Sequence, residues 1–199
     1  MKPFGTAAIL AGGMSSRMGF DKQLLTISRK RLIAGLLPRL AECFDDILVV
    51  TNFPELYNRM PVRTVSDIIP GKGPLSGIHA ALQSSKSSYV YFMACDMPCF
   101  EAGYAEYMKQ RLLEDPNDAC VTRRGEWIEP FHAFYNQTAV GTLEVDLNAD
   151  KTSVFYLLKK LSTLYISEEE ARRFSSNWSL FCNLNTREEY FAYLNLQKG

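Results

Sequence analysis

Short apolar runs alternate with longer amphipathic segments along most of the chain. The apolar runs predict strands, at Thr6–Leu10, Asp46–Thr51, Arg63–Val65, Tyr89–Ala94, Ala119–Thr122, Ala133–Tyr135 and Thr163–Ile166. The segments between them predict helices, at Leu32–Cys43, Leu75–Ser84, Ala102–Glu114, Gln137–Leu147, Val154–Leu161, Glu168–Phe174 and Thr186–Leu196. This alternation is typical of an α/β protein with a mainly parallel sheet and helices on both of its faces.

The composition limits the number of domains and the kinds of partner. The chain has 199 residues, of which 47% are hydrophobic, enough to bury one core but not two. We therefore expect a single domain over residues 1–199. Basic and acidic residues both number 22, so no overall charge favours binding to nucleic acid or to a membrane. Any anionic ligand must then be bound by a local cluster of positive groups.

The location of the protein is predicted from its termini, apolar runs and cysteines. The amino-terminal residues lack the basic segment, apolar core and cleavage site of a secretory signal, and no apolar run is long enough to span a membrane. The five cysteines have no paired C-x-x-C spacing, which suits free thiols in a reducing compartment better than a disulfide framework. These features predict a soluble, cytoplasmic protein.

A glycine-rich segment carries the strongest chemical signal and directly follows the first predicted strand. It runs from Leu10 to Lys22 as Leu-Ala-Gly-Gly-Met-Ser-Ser-Arg-Met-Gly-Phe-Asp-Lys. Gly12 and Gly13 let the backbone turn and bring its N–H groups close to anionic oxygens, and Arg17 and Lys22 add positive charge. The glycine spacing fits neither the dinucleotide fingerprint nor a P-loop. The segment favours a nucleoside triphosphate site, although alone it would also fit a surface turn with solvated basic side chains.

Two acidic residues follow predicted strands further along the chain. Asp67 comes soon after Arg63–Val65, and ligands of open parallel sheets bind at the carboxyl ends of strands, so Asp67 is a candidate nucleotide contact. Asp96 follows Tyr89–Ala94, and one carboxylate beside a phosphate loop is enough to help hold Mg²⁺. A helix cap or turn anchor is the alternative role of Asp96. Lys72, in the loop after Asp67, is predicted to be solvated rather than to bind phosphate.

Five motifs, in order along nearly the whole chain, resemble those of the molybdenum cofactor guanylyltransferases, the MobA family of nucleotidyltransferases. They are Leu10-Ala-Gly-Gly-x-Ser-x-Arg-Met-Gly-x-Asp-Lys22, Gly73-Pro-Leu-x-Gly77, Cys95-Asp-Met-Pro98, Glu129-Pro-x-x-Ala-x-Tyr135 and Phe181-x-Asn-x-Asn-Thr186. The resemblance implies a single-domain, three-layer, Rossmann-like fold of the nucleotide-diphosphate transferase type. It also implies transfer of GMP from GTP to the phosphate of molybdenum–molybdopterin, which gives the molybdopterin guanine dinucleotide cofactor and releases pyrophosphate.

The resemblance also implies which residues form the site. The positions expected to bind the nucleotide are Leu10, Ala11, Gly12, Lys22, Asn52, Asp67 and Asp96. Arg17, Lys22 and Asp96 are expected to carry catalysis, with Asp96 as the ligand of Mg²⁺. Asn183 and Asn185 are expected on the side of the site that faces the pterin cofactor.

Several of these residues also have an ordinary structural interpretation. Asn52 precedes Phe-Pro and would suit a turn. Asn183 and Asn185 would suit the loop before the last helix. Arg123 and Arg124 are candidates for phosphate contacts, but a solvated hairpin turn fits them equally well.

The resemblance implies Mg²⁺ as cofactor, GTP and molybdenum–molybdopterin as substrates, and transient contacts with cofactor-assembly proteins and apo-molybdoenzymes. Two other functions stay open. A related enzyme would transfer CMP, although Leu10 before Ala-Gly-Gly and the Cys95-Asp-Met-Pro98 motif resemble the guanylyl branch more closely. A non-catalytic module would bind GTP and carry the pterin between assembly proteins without releasing pyrophosphate.

Overall fold

The computed structural model describes residues 2–11, 22–27 and 30–196, which form an α/β architecture. Its strands, in chain order, are β1 (Thr6–Leu10), β2 (Thr26–Ile27), β3 (Lys30–Arg31), β4 (Asp46–Val50), β5 (Arg63–Val65), β6 (Tyr89–Ala94), β7 (Ala119–Arg124), β8 (Trp127–Asn136) and β9 (Thr163–Ser167). The main sheet has the strand order β5-β4-β1-β6-β8-β7-β9, and β2 pairs with β3 in a separate antiparallel ribbon.

Helices follow most of the strands, as the alternating pattern predicts. They are α1 (Leu32–Ala41), α2 (Pro74–Ser84), α3 (Ala102–Glu114), α4 (Val140–Asn148), α5 (Val154–Leu158), α6 (Glu168–Arg172) and α7 (Arg187–Leu196). Pro74 begins α2, where its missing N–H costs no hydrogen bond. Thr186 and Glu189 cap α7 by exchanging side-chain and backbone hydrogen bonds. Of the helices that the structure describes, none is both long and apolar enough to cross a membrane.

The main sheet is parallel except at β8. The strand β1 pairs in parallel with β4 and β6, β4 with β5, and β7 with β9, whereas β8 is antiparallel to both of its neighbours. Alternate residues of β1 belong to opposite cores, Ile9 with the residues of α1 and α3, and Ala8 with those of α2 and α4. The sheet is therefore buried on both faces and forms the middle of three layers. The predicted fold class is confirmed.

The structure differs from the predicted strands at two places. The strand predicted at Ala133–Tyr135 is the end of the longer β8, which begins at Trp127. Its first half contains Glu129 and Pro130, a polar residue and a residue that cannot donate to a sheet, and they conceal the strand in the sequence. The ribbon of β2 and β3 was not predicted, because strands of two residues are too short to show a period.

Candidate active site

The carboxyl ends of four neighbouring strands lie side by side at one edge of the sheet. The register aligns a single row of residues across β5, β4, β1 and β6, namely Val65, Val50, Leu10 and Ala94. Two positions after each of them, in the same order, come Asp67, Asn52, Gly12 and Asp96. Neighbouring strands lie about 4.8 Å apart, so the strands that carry the two aspartates are separated by about 14 Å. Residues distant in sequence, all predicted to bind the nucleotide, thus follow the ends of adjacent strands.

Leu10 and Ala11 hold the end of β1 firmly between its neighbours. Both residues are buried. The backbone N–H of Ala11 donates to the carbonyl of Val50 at 2.9 Å, and the carbonyl of Leu10 accepts from the N–H of Cys95 at 3.0 Å. The backbone is therefore fixed up to the point where the glycine-rich segment begins.

Three of the predicted phosphate-binding residues belong to the glycine-rich segment itself. Gly12 and Arg17 lie outside the described residues. The backbone of Lys22 is described and begins a short 3-10 turn, while its side chain is not described. The roles assigned to these three residues stay predictions.

The residues after this segment are anchored to the end of β4. The buried Gln23 accepts hydrogen bonds at Oε1 from the hydroxyl of Thr51 at 2.7 Å and from that of Tyr57 at 3.2 Å. Asn52 follows Thr51 and is exposed in a bend, consistent with either a ligand contact or a turn. Gln23 was missed in the sequence because its partners lie 28 and 34 residues away. Its carboxamide positions the return of the chain from the glycine-rich segment.

Asp67 lies half-buried just beyond the end of β5. Burial raises the pKa of its carboxyl group. The hydroxyl of the preceding Ser66 donates to the carbonyl of Thr51 at 3.1 Å, which ties this loop to β4. Within the described ranges, no hydrogen bond or ion pair to the Asp67 carboxylate is found. A partly desolvated carboxylate of this kind is suited to accept N–H or O–H donors from a ligand.

Asp96 is buried, with 7% of its surface exposed, and a backbone contact joins it to the carboxyl-terminal segment. The carbonyl of Asp96 accepts a hydrogen bond from the N–H of Leu184 at 2.9 Å. Asn183 and Asn185 flank Leu184, and the N–H of Asn185 donates to Glu189 at 2.7 Å at the start of α7. The fold therefore brings the predicted pterin-side residues beside the predicted metal ligand, across more than 80 residues of sequence.

Asp96 is not the cap of the helix that follows it. The N-cap of α3 is Glu101, whose side chain accepts from the N–H of Gly103 at 3.4 Å. Among the described residues, no group of three or more His, Cys, Asp and Glu side chains could form a metal cage. Mg²⁺ takes one or two carboxylates from a protein and fills its other positions with waters and substrate phosphates. A single buried carboxylate at the sheet edge fits that ion.

Glycines form the turn before α2 and also let the helix pack closely on the ends of β1 and β4. Gly71 and Gly73 have φ values of +81° and +61°, a conformation that favours glycine. A Cβ atom on Gly77 would lie 3.0 Å from Cδ2 of Leu10 and 3.6 Å from Cγ1 of Val50. The helix therefore packs directly on residues that end the two central strands of the site.

Three basic residues considered in the sequence, Lys72, Arg123 and Arg124, have partners within the described part of the chain. The ammonium group of Lys72 pairs with Asp150, and only 28% of the lysine side chain is exposed, so the predicted solvated lysine is wrong. Arg123 and Arg124 end β7 in a tight turn, with Nε of Arg123 donating to the carbonyl of Gly125 at 3.0 Å. Nε of Arg124 lies 3.3 Å from a carboxylate of α6. The hairpin turn at these arginines is confirmed, and their contact with phosphate stays a prediction.

A mainly parallel sheet with carboxylates spaced along its carboxyl edge fits a nucleotidyltransferase, and the family match shows that the protein is one. The chain belongs to the MobA-like NTP transferase domain family, which it matches over residues 7–163. The resemblance seen in the five sequence motifs is confirmed.

Two relatives and one solved structure extend this finding. A protein of Peptoclostridium acidaminophilum named "Probable molybdenum cofactor guanylyltransferase" is 52% identical over 197 residues, which cover 96% of this chain and 89% of that protein. The molybdenum cofactor guanylyltransferase of Syntrophotalea carbinolica is 52% identical over 187 residues, or 94% of this chain and 89% of that protein. Molybdopterin-guanine dinucleotide biosynthesis protein A of Archaeoglobus fulgidus shares the fold with a TM-score of 0.85 and 25% identity, covering 97% of this chain and 98% of that one.

Proposed function

We propose that this protein transfers GMP from GTP to the phosphate of molybdenum–molybdopterin, forming the molybdopterin guanine dinucleotide cofactor and releasing pyrophosphate. The names of its relatives support guanylyl transfer in molybdenum cofactor biosynthesis. The structural observation that carries the proposal is the hydrogen bond between Leu184 and Asp96. It joins the segment proposed to bind the pterin to the nucleotide end of the sheet, as a reaction between the two substrates requires.

The reaction needs no nucleophilic side chain. An oxygen of the pterin phosphate attacks the α-phosphorus of GTP, a new P–O bond forms, and the bond to pyrophosphate breaks. Catalysis is then mainly positioning and electrostatic stabilisation. Asp96 would hold Mg²⁺, which supplies positive charge to the phosphates when bound. Arg17 and Lys22 are proposed to add further positive charge from the glycine-rich segment.

The other proposed contacts follow from their places along the sheet edge. Asn52 and Asp67 follow β4 and β5 and are proposed to bind the nucleoside, where the Asp67 carboxylate would accept N–H or O–H donors. Asn183 and Asn185 are proposed to contact the pterin. Transient contacts with cofactor-assembly proteins and apo-molybdoenzymes, and a cytoplasmic location, belong to the same proposal.

The first experiment measures the binding of GTP, CTP and ATP to the whole protein by calorimetry with Mg²⁺ present. We expect selective binding of GTP. A preference for CTP would instead indicate cytidylyl transfer, and binding of none of the three would contradict the site. GTP binding without pyrophosphate release in the presence of the pterin substrate would indicate a non-catalytic module.

The second experiment tests the role of Asp96. Asp96→Asn should remove most Mg²⁺-dependent turnover, because the neutral amide is a weaker ligand for a hard cation. Asp115→Asn is the matched control, since Asp115 is exposed at the far end of α3. Full activity of the Asp96 variant would refute its assignment as the metal ligand.

A further inference from the structure

Glu129 is, like Asp67, a half-buried carboxylate at the sheet edge that carries the candidate site. The two residues lie on opposite sides of β6. The strand of Glu129, β8, is antiparallel to β6, and Ala133 pairs with Phe92. Residues that precede Ala133 therefore lie beyond Phe92, in the direction of Asp96. Because β8 is the next strand after β6 in the sheet, Glu129 comes to the same edge as the strand-end residues.

A bulge in β8 shapes this end of the strand. Cys120 of β7 pairs with Phe134 of β8, and Thr122 pairs with Glu129. The two pairs are therefore two residues apart along β7 but five residues apart along β8. His132, within the bulge, has a φ of +53°, a conformation that few residues with a side chain adopt. Bulges often occur beside active sites, where they change the direction of a side chain. Glu129 resumes regular pairing directly after the bulge.

The surroundings of Glu129 are aromatic and basic. The indole N–H of Trp127 donates to Oε1 of Glu129 at 3.1 Å, and Trp127 remains 66% exposed. Burial raises the pKa of Glu129, while hydrogen bonds with Trp127 and Trp178 act in the opposite direction. The Trp178 ring lies 5.2 Å from the guanidinium carbon of Arg124 and 5.3 Å from that of Arg172. The carboxylate thus lies between two indoles beside fixed positive charge.

This group can bind a particular kind of ring edge. A carboxylate has about four lone-pair positions, so the donor from Trp127 leaves room for two further N–H groups. Adjacent N–H donors of this kind occur on the 2-amino-4-oxopyrimidine edge that pterin and guanine share. The exposed face of Trp127 is a surface on which such a flat ring can stack.

We infer that Glu129 and Trp127 form a subsite for the 2-amino-4-oxopyrimidine edge of the acceptor's pterin. This inference rests on the proposed function, which supplies the acceptor. The reacting phosphates lie near Asp96 in that proposal, between Asp67 at one end of the edge and Glu129 at the other. β5 and β8 are four strand spacings apart, or about 19 Å, so the two carboxylates serve different rings of one dinucleotide.

The carboxyl-terminal segment connects this subsite to the metal ligand. The rings of Trp178 and Phe181 are in contact, with centroids 4.6 Å apart. Three residues later, Leu184 donates to the carbonyl of Asp96. A pterin bound at Glu129 would therefore lie beside the same segment that carries Asn183, which is proposed to face the pterin.

The chain offers a direct optical test, because its two tryptophans are the two indoles beside Glu129. The whole protein is titrated with 6-hydroxymethylpterin while tryptophan fluorescence is followed, with correction for absorption by the ligand. We expect saturable quenching, at least tenfold weaker binding to Glu129→Gln, and unchanged binding to Glu126→Gln. Glu126 is the matched control because its side chain is fully exposed on the same hairpin. The glutamine at position 129 keeps an acceptor for Trp127 but replaces the second oxygen with a donor.

A ligand control tests the recognised edge. 6-Hydroxymethyllumazine, which differs from 6-hydroxymethylpterin by an oxygen in place of the 2-amino group, should bind the unmodified protein at least tenfold more weakly. In Glu129→Gln this selectivity should be lost. Equal binding of both pteridines to the unmodified protein would overturn the inference.

The remaining outcomes separate this inference from the proposed function. No quenching by the pterin, or equal affinity in the Glu129 variant, would overturn the subsite. Quenching by GTP that depends on Glu129 would assign the subsite to guanine and overturn its assignment to the acceptor. In the transfer assay, Glu129→Gln should raise KM for the pterin substrate at least tenfold and leave KM for GTP unchanged. Pterin binding that depends on Glu129, in a protein that transfers no GMP, would refute the proposed function and support the subsite.

Discussion

Acidification should destabilise this protein through one buried histidine. His132 is completely buried, and its Nδ1 lies 2.7 Å from the hydroxyl of Tyr91. Burial lowers the pKa of His132 from 6.5 to about 3, and a backbone hydrogen bond at Leu180 opposes that shift. The folded protein therefore keeps this imidazole neutral at pH values where the unfolded chain binds a proton.

The size of the effect follows from the difference in pKa. The stabilisation is complete above 6.5, the unfolded value, and is lost as the pH falls toward the folded value of about 3. Each pH unit within that window costs about 1.4 kcal/mol of the free energy of unfolding. Between pH 8 and pH 5 the loss from this residue is about 2 kcal/mol, a substantial part of the stability of an ordinary domain.

Urea unfolding of the protein and of His132→Asn between pH 8 and pH 5 measures this contribution. Asparagine tolerates the positive φ of this position and does not titrate. Its smaller volume and the lost partner of Tyr91 lower stability by a constant amount, whereas the other titrating groups cancel between the two proteins. The free-energy difference between them should therefore shrink by about 2 kcal/mol on acidification. A difference that stays constant with pH would refute the buried neutral histidine.

Two further predictions concern the packing and charge of the sheet. Gly77→Val should destabilise the protein by about 1–3 kcal/mol in urea unfolding and weaken GTP binding, because the new side chain would displace Leu10. Gly141→Val, at an exposed position of α4, is the control. Equal effects of the two substitutions would contradict this packing. Arg63→Met should lower stability by about 1 kcal/mol at pH 7, since its hydrogen bonds at 2.8 and 2.7 Å keep the pKa of Asp46 low. That loss should disappear as the pH falls through the lowered pKa of Asp46, and a loss independent of pH would contradict the ion pair.

The nucleotide half of the site could be predicted from the sequence because its strands are parallel. Each parallel strand is a short apolar run, and the polar residue that follows it is visible in the sequence. Asn52, Asp67 and Asp96 were found in this way or through the family resemblance. Their alignment two positions beyond one row of the sheet depends on the register, which no local pattern contains. The sequence predicts the candidate residues, and the register shows that those after β4, β5 and β6 follow one row of the sheet.

The part of the site on β8 could not be predicted, because this strand is antiparallel to its neighbours. An antiparallel strand presents its beginning at the sheet edge that carries the site, so the informative residue of β8 precedes the apolar run. Glu129 lies in one of the five motifs, but the sequence assigns it no role because proline and the bulge conceal the strand that carries it. Gln23 shows the same limit, since only the folded position of Thr51 reveals what its carboxamide does.

The family match covers the proposed nucleotide side and the proposed pterin side of the site to different extents. The family match spans residues 7–163, which include every strand-end residue from Asn52 to Glu129. Trp178 and Leu184 lie after that range, yet Trp178 lies near Glu129 and the N–H of Leu184 donates to the carbonyl of Asp96. The match therefore contains the proposed nucleotide side in full and the proposed acceptor side only in part. Substitutions after residue 163 should therefore weaken the binding of pterin more than the binding of GTP.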